Sequence, residues 1–298
     1  MLSGERQIEV RVTGGLGNQL FVYFAELYLS SISGRKLVLN MKEASRSHSL
    51  YDLRSFNEVS ELHIVNNPLP GIDFVKKIFD SLRYRLPGIS RIFDRLFGTY
   101  TDENMKVNEL YAASPRKRIK FSGSFQDFSY LDRIQNATLT LSGPTLKSNP
   151  SQNEGILAIH VRRGDFLSQK ITHGCLAAQW YHQAISSLLS STNGISKLRI
   201  YSNDDAWVHK NIVQLCPELS IPIEIIKFDS EEDPAVSFMS FANCPYRICS
   251  NSTFSLLATK LFPGVSAVPY PYNRLGDFKV LEESSPKDWI RIPSIWED

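Results

Sequence analysis

The sequence is poor in cysteine. Four occur, at 175, 216, 244 and 249, with no Cys-x-x-Cys pair and no flanking His cluster. No cysteine-based metal or redox site is signalled, and buried free thiols in a reducing compartment are the expectation. The chain has little net charge: 33 Lys and Arg stand against 31 Asp and Glu, a balance of +2. That excludes the basic excess of a nucleic-acid binder and leaves room for a local basic site on a phosphorylated ligand. Long apolar runs are missing too. The start, MLSGERQIEV, lacks the apolar segment of a secretory signal. LFVYFAELYL carries Glu26 and is shorter than the roughly 20 residues a bilayer span needs. A cytoplasmic protein is expected. Asp-x-Asp is also absent, and Glu231-Glu232-Asp233 reads as a solvated helix start, so no metal site is expected.

What is present is an α/β pattern. At 298 residues the chain is long enough for two domains. Short apolar runs of strand length alternate with segments of helical spacing: ILAIHV, AAQWYHQAISSLLS, KLRIYS, DAWVHKNIVQLC, IEIIKF, PAVSFMSFANC, YRICS, STFSLLATKLF, SAVPY. Buried strands between helices predict a parallel sheet covered on both faces. The first half opens the same way, with IEVRV, a helix from about 18 to 33, and KLVLN. Residues 43–60 read as loop and short helix, 74–97 as two helices, and KRIKFSG as a further strand. The Ser-, Pro-, Gly- and Asn-rich segment 142–155 is the expected linker. It sets domains of 1–150 and 151–298, two Rossmann-like units facing a cleft.

In such sheets, ligands sit beyond the carboxyl ends of the strands. Four stretches occupy those positions. His160-Val161-Arg162-Arg163-Gly164-Asp165-Phe166 puts two guanidiniums at the end of a buried strand, where cations are costly unless paired. Arginine offers a planar fork to phosphate oxygens. Alternation places His160 and Arg162 on one side and Arg163 on the other. One arginine is then the main phosphate ligand and the other pairs with Asp165. Cys249-Ser250-Asn251-Ser252-Thr253-Phe254 enters a helix whose free N–H groups suit an anion; a plain cap fits the same residues. Asp204 and Asp205 precede another helix, where either caps it or accepts from a guanine N–H.

The fourth stretch is GGLGNQLF, Gly14 to Phe21. It has the place of a dinucleotide loop, but Leu20 stands where the third glycine belongs and the next strand ends in Asn40 rather than an acid. The glycines permit close backbone approach. Asn18 either caps the helix or, with Gln19, turns polar groups into the cleft. A basic amphipathic stretch, 74–97, reads as a helix pair packed on its own core or as a surface that touches membrane or a lipid-linked acceptor.

Taken together, these motifs resemble the α-1,2-fucosyltransferases of glycosyltransferase family eleven. The resemblance rests on Gly14 to Phe21, Ser122-Gly123-Ser124-Phe125-Gln126, His160 to Phe166, His173-Gly174, Trp180-Tyr181, Ser202 to Trp207 and Ser250 to Ser255, in order and at family spacing. Departures are Leu256-Leu257 for two tryptophans, Asn203 for an aspartate, and Tyr181 after a tryptophan. The resemblance implies a GT-B-like fold with the donor, GDP-L-fucose, held mainly by the C-terminal domain. It implies metal-independent, inverting transfer to the 2-hydroxyl of a terminal β-galactoside; surface-polysaccharide (O-antigen) assembly is the expected setting, with an oligosaccharide acceptor that is either lipid-linked or free, and a transferase with another donor or a non-catalytic nucleotide-sugar binding protein are the alternatives. Arg162 would neutralise the leaving diphosphate, supported by Arg163 and His160. Asn251, Ser252, Thr253 and Phe254 would line the donor site, and Asp204 or Asp205 would meet the guanosine or only cap. Asp165 and His160 are the candidates for a general base. Gly14, Gly15, Gly17, Asn18, Gln19 and Gln126 would line the acceptor side.

Overall fold

The fold comes from a computed structural model that describes residues 5–41, 53–60, 63–65, 98–101, 104–134, 139, 153–214, 221–227 and 233–298. The chain divides into two compact units, Met1–Ala137 and Thr138–Asp298. The expected boundary at 150 lies a short way downstream of that division. Most of the expected linker, and all of the basic stretch 74–97, lie outside the described residues.

The N-terminal unit holds a parallel sheet of five strands. In chain order these are β1 (Gln7–Arg11), β2 (Lys36–Asn40), β3 (His63–Val65), β4 (Thr99–Thr101) and β5 (Arg118–Ser122). Their spatial order is β3-β2-β1-β5-β4. Helix α1 (Leu16–Ser33) connects β1 to β2 and buries Leu20, Phe21, Phe24 and Leu29 against the sheet. It starts two residues before the expected position because Gly15, not Asn18, is its N-cap. Gly14 makes the turn with φ 79, and a Cβ there would come within 2.7 Å of the Asn18 amide nitrogen. A 3-10 turn (Leu53–Ser55), two short helices, α2 (Asn57–Ser60) and α3 (Met105–Ala112), and a single turn, α4 (Ser129–Asp132), complete the described part of this unit.

The C-terminal unit holds a parallel sheet of six strands. They are β6 (Ile156–Val161), β7 (Lys197–Ser202), β8 (Ile223–Lys227), β9 (Tyr246–Ile248), β10 (Val265–Tyr270) and β11 (Ile290–Pro293). Their order, β11-β10-β9-β6-β7-β8, is that of a doubly wound Rossmann sheet. Every residue of β6 is buried, as its unbroken apolar run requires of a central strand with helices on both faces. The helices are α5 (Ala178–Ser191), α6 (Asp205–Val208, running on into a π turn), α7 (Pro234–Ala242), α8 (Thr253–Leu261) and α9 (Lys279–Ser284). Asp233 caps α7 by accepting from the Ala235 N–H, so it caps a helix as its acidic run suggested.

A buried cation braces this unit. Arg247, fully buried on β9, donates to the carbonyls of Ala242 (2.6 Å), Cys244 (2.8 Å) and Phe262 (2.8 Å). Those carbonyls end α7 and α8, where the helix dipoles are negative. The charge is thus met by oriented backbone rather than by a carboxylate.

Candidate active site

The C-terminal sheet reverses its winding between β6 and β9, which are neighbours in space. The crevice outside their carboxyl ends is where a ligand of such a sheet binds. β6 delivers His160 to Asp165 to it, and β9 delivers Ser250 to Phe254. The two strand ends are joined by His160 Nδ1 and Ser250 Oγ, 2.8 Å apart. The His160 ring stacks on Phe254, with centroids at 5.0 Å, and meets Phe241 edge-on. Burial, and then the charge of Arg162, push the His160 imidazolium down to about 3. On that account the ring is neutral near pH 7, and the physical cause is desolvation.

The two arginines part company. Arg162 stays about one-third exposed and pairs with Asp165 at 2.7 Å, one turn along. Its guanidinium lies 5.6 Å from the Phe166 ring. Arg163 is buried. Its Nε donates to Asp204 Oδ2 (3.0 Å), its Nη1 to Glu297 Oε1 (2.5 Å), and its guanidinium sits 4.3 Å over Trp207. The Asp165 pair thus falls to Arg162, not to Arg163. Gly164 decides this, with φ 21 at the start of a 3-10 turn that swings Asp165 back toward Arg162. A side chain at 164 would collide with Asn203, whose Oδ1 accepts from the Arg163 N–H at 3.0 Å. Arg163 is committed to holding the loop, and Arg162 is the guanidinium left facing solvent.

The remaining expected residues divide the same way. Asp204 caps α6, with Oδ1 accepting from the Trp207 N–H (3.1 Å) while Oδ2 holds Arg163. Both of its oxygens are engaged. Asp205 begins α6, and its Oδ1 is buried with no hydrogen-bond partner among the described residues. Ser252 caps α8, accepting from the Phe254 N–H (3.4 Å), and Thr253 is the first helical residue. No acidic side chain lies in the first turn of α8, so its positive end is open to an anion. Asn251 is buried and donates to the carbonyls of His173 and Gly174, both at 3.0 Å. It ties the loop after β6 to the loop after β9.

In the N-terminal unit the winding reverses between β1 and β5. Asn18 Oδ1 accepts from Gln126 Nε2 at 3.0 Å, joining two residues expected to line one wall. Gln19 is fully buried, and its Nε2 donates to the Gly14 carbonyl (2.9 Å), so it stabilises the loop from within. Gly15 and Gly17 lie at the helix start. Sequence reasoning missed Glu297, Trp207 as a platform for Arg163, and the Ser250 partner of His160. Glu297 had no sequence signal, since 134 residues separate it from Arg163.

Among the described residues no group of three or more His, Cys, Asp or Glu is placed to hold a metal ion. Among them also no helix is long and apolar enough to cross a membrane.

Known proteins share this pattern. The family described as glycosyl transferase family 11 matches residues 3–292. An alpha-1,2-colitosyltransferase of Escherichia coli is 23% identical over 314 aligned residues, covering 96% of this chain and 98% of that protein. The O-antigen biosynthesis glycosyltransferase WbnK of Escherichia coli is 24% identical over 276, covering 82% and 86%. The solved fucosyltransferase NodZ from Bradyrhizobium, 14% identical, covers 87% of this chain and 94% of its own, with a TM-score of 0.53. At that identity the likeness speaks for the fold, which is GT-B-like. The chain belongs to glycosyl transferase family 11 and is a glycosyltransferase.

Proposed function

We propose that the enzyme moves L-fucose from GDP-β-L-fucose to the 2-hydroxyl of a terminal β-galactoside, with inversion and without a metal. One observation carries the reading. A solvent-facing guanidinium, Arg162, stands at the carboxyl end of β6, next to the strand that leads into the open N-terminus of α8. As the glycosidic bond breaks, the sugar gains oxocarbenium character and the diphosphate gains charge. A fixed cation and a helix dipole stabilise that charge most in the transition state. To reach the diphosphate, Arg162 exchanges its Asp165 partner for phosphate oxygens. The released Asp165 carboxylate is then the candidate base for the acceptor hydroxyl, and Asp204 or Asp205, at the start of α6, is the candidate for the guanine N–H groups. Arg163, Asn251 and His160 hold the loops that carry these groups.

On the same reading Asn18, with the glycine loop and Gln126, lines the acceptor side. The acceptor is a galactose-terminated oligosaccharide on a lipid carrier in O-antigen assembly, which places the enzyme in the cytoplasm, peripheral to the membrane. The name of one relative supports that setting. The name of another supports a second reading, in which the transferred sugar is colitose.

The test is GDP release by purified enzyme in EDTA, with GDP-fucose, GDP-mannose and GDP-colitose, each with and without a β-galactosyl disaccharide. Release is expected with GDP-fucose and acceptor together, and the product should carry an α-fucosyl anomeric signal. Faster turnover of GDP-colitose would install the second reading. Loss of activity in EDTA, restored by a divalent cation, would remove metal independence.

A further inference from the structure

We infer that the cavity between α5 and the segment after β11 is a second glycan subsite, one that takes a neutral sugar unit of the acceptor chain. The inference rests on the transferase reading above, which makes a glycan the ligand, and adds a contact away from the reacting hydroxyl.

The cavity lies within the C-terminal unit. Its volume is about 520 Å³, inside the roughly 300–1,000 Å³ of small-molecule sites. Three elements wall it. Ala178, Gln179 and His182 come from the start of α5, Asn211 from the π turn after α6, and Ile295 to Asp298 from the segment after β11. None of residues 160–166 or 250–254 lines it, so it is separate from the donor crevice.

The walls are fixed before anything enters. The Ala177 N–H donates to the Ile295 carbonyl and the Glu297 N–H to the Cys175 carbonyl, both at 2.8 Å. Trp296 packs over Gly174, where a Cβ would come within 2.6 Å of its ring. The glycine of the His173-Gly174 pair is what admits that packing. His182 Nε2 lies 2.9 Å from the Asn211 carbonyl and ties α5 to the π turn. A carbonyl only accepts, so Nε2 carries the proton and Nδ1 of the neutral ring is an acceptor. Asn211 Nδ2 donates to the Trp207 carbonyl (2.9 Å), which leaves its Oδ1 as another.

The chemistry of the lining selects the ligand. It contains no Lys or Arg, so a phosphate or carboxylate would find no cation in it. Nor does it call for a cation. Glu297 Oε1 already accepts from Arg163 Nη1 (2.5 Å), and Lys170 Nζ is held at the Asp298 carbonyl (2.7 Å). What remains is a set of acceptors on Gln179, His182, Asn211 and Asp298, beside the apolar Ile295 and Trp296. Sugar hydroxyls donate to such acceptors, and an apolar wall suits the C–H face of a sugar ring.

The experiment is fluorine NMR on the full chain labelled with fluorotryptophan. The chain has four tryptophans, and Trp296→Phe assigns the signal of this one. Galactose, N-acetylglucosamine, galactosamine and galactose 6-phosphate are titrated in turn, with and without saturating GDP. At least one of the neutral sugars should shift the Trp296 signal saturably and bind more tightly than either charged probe. Its affinity should be the same whether or not GDP is bound. Gln179→Ala and Asn211→Ala should each weaken that binding about two- to tenfold, the scale of one hydrogen bond, with GDP affinity unchanged. Gln179 is exposed, so its variant keeps the test open if Asn211→Ala does not fold. No saturable shift with the neutral sugars overturns the inference. So does tighter binding of a charged probe, displacement of the sugar by GDP, wild-type sugar affinity in Gln179→Ala, or a fall in GDP affinity with it. Failure in an enzyme that transfers fucose from GDP-fucose ends this inference alone. A saturable Trp296 shift in a protein that does not use GDP-fucose would remove the transferase reading and leave the subsite.

Discussion

His160 on β6 and Ser250 just past β9 lie 2.8 Å apart, through Nδ1 and Oγ, and so join the two strand ends that frame the candidate donor crevice. The bond is buried, its imidazole is neutral, and the ring is stacked on Phe254. Through that contact and its packing on Phe254, His160 braces the two strand ends.

That brace makes stability depend on pH. The folded-state value for His160 lies near 3, below its ordinary value of 6.5. Between those values the unfolded chain binds a proton that the folded one refuses. The contribution of this group is therefore full above about pH 6.5 and is lost progressively as the pH falls toward about 3. Urea midpoints at pH 7 and pH 4.5 should diverge more for wild type than for His160→Asn. Equal divergence would mean that His160 does not titrate this way.

Arg162→Ala should lower transfer about 100-fold or more, because it removes a charge-assisted contact to the leaving group. Its melting temperature should stay near that of the wild type, since its ion pair with Asp165 is solvent-exposed and contributes about 0–1 kcal/mol. Steady-state turnover and thermal melting check both halves. Normal turnover would sink the assignment of Arg162 to the diphosphate.

Arg163→Ala should behave differently. It leaves Asp204 and Glu297 without their cation and Trp207 without its cover. The expected loss is about 2 kcal/mol, below the roughly 3–5 of a fully buried pair because both carboxylates retain some solvent. Glu297→Gln should lose less stability and raise the donor KM more than it lowers kcat. A kcat effect equal to that of Arg162→Ala would place Arg163 on the substrate instead.

Arg247→Ala should destabilise the C-terminal unit by about 3–5 kcal/mol, because it strands two buried carbonyls and one partly buried carbonyl at two helix ends. Chemical denaturation with a tryptophan probe reports it. A loss under about 1 kcal/mol would mean that water or relaxation satisfies those carbonyls.

Asn18→Ala should reduce transfer more than GDP binding, since its amide bonds Gln126 in the N-terminal unit. Paired measurements of GDP affinity and turnover separate the two effects. Equal loss of both would return the glycine loop to the nucleotide.

The strands were the most legible part of the molecule. β6 spans Ile156–Val161, the same residues as the apolar run, because a strand buried on both faces takes apolar side chains at almost every position, His160 being the exception. The start of α1 was less legible, because a glycine cap without a side-chain hydrogen bond leaves no chemical mark, whereas Asn18 looks like a cap. Of the four stretches at strand ends, sequence located all four but could not divide labour within them. HVRRGDF does not say which arginine turns inward. That follows from Gly164 and from a glutamate 134 residues away.

The sequence by itself determined the family, the alternation of strand and helix, and the stretches that fall at the ends of strands. These follow from local periodicity and from motifs read along one chain. The tertiary structure decided which strands are neighbours, hence that β6 meets β9 and β1 meets β5, and so which residues share a crevice. It also decided the charge of His160 and the partners of Arg162, Arg163 and Asp204. Burial and pairing depend on what the rest of the chain brings alongside, and no local pattern encodes that.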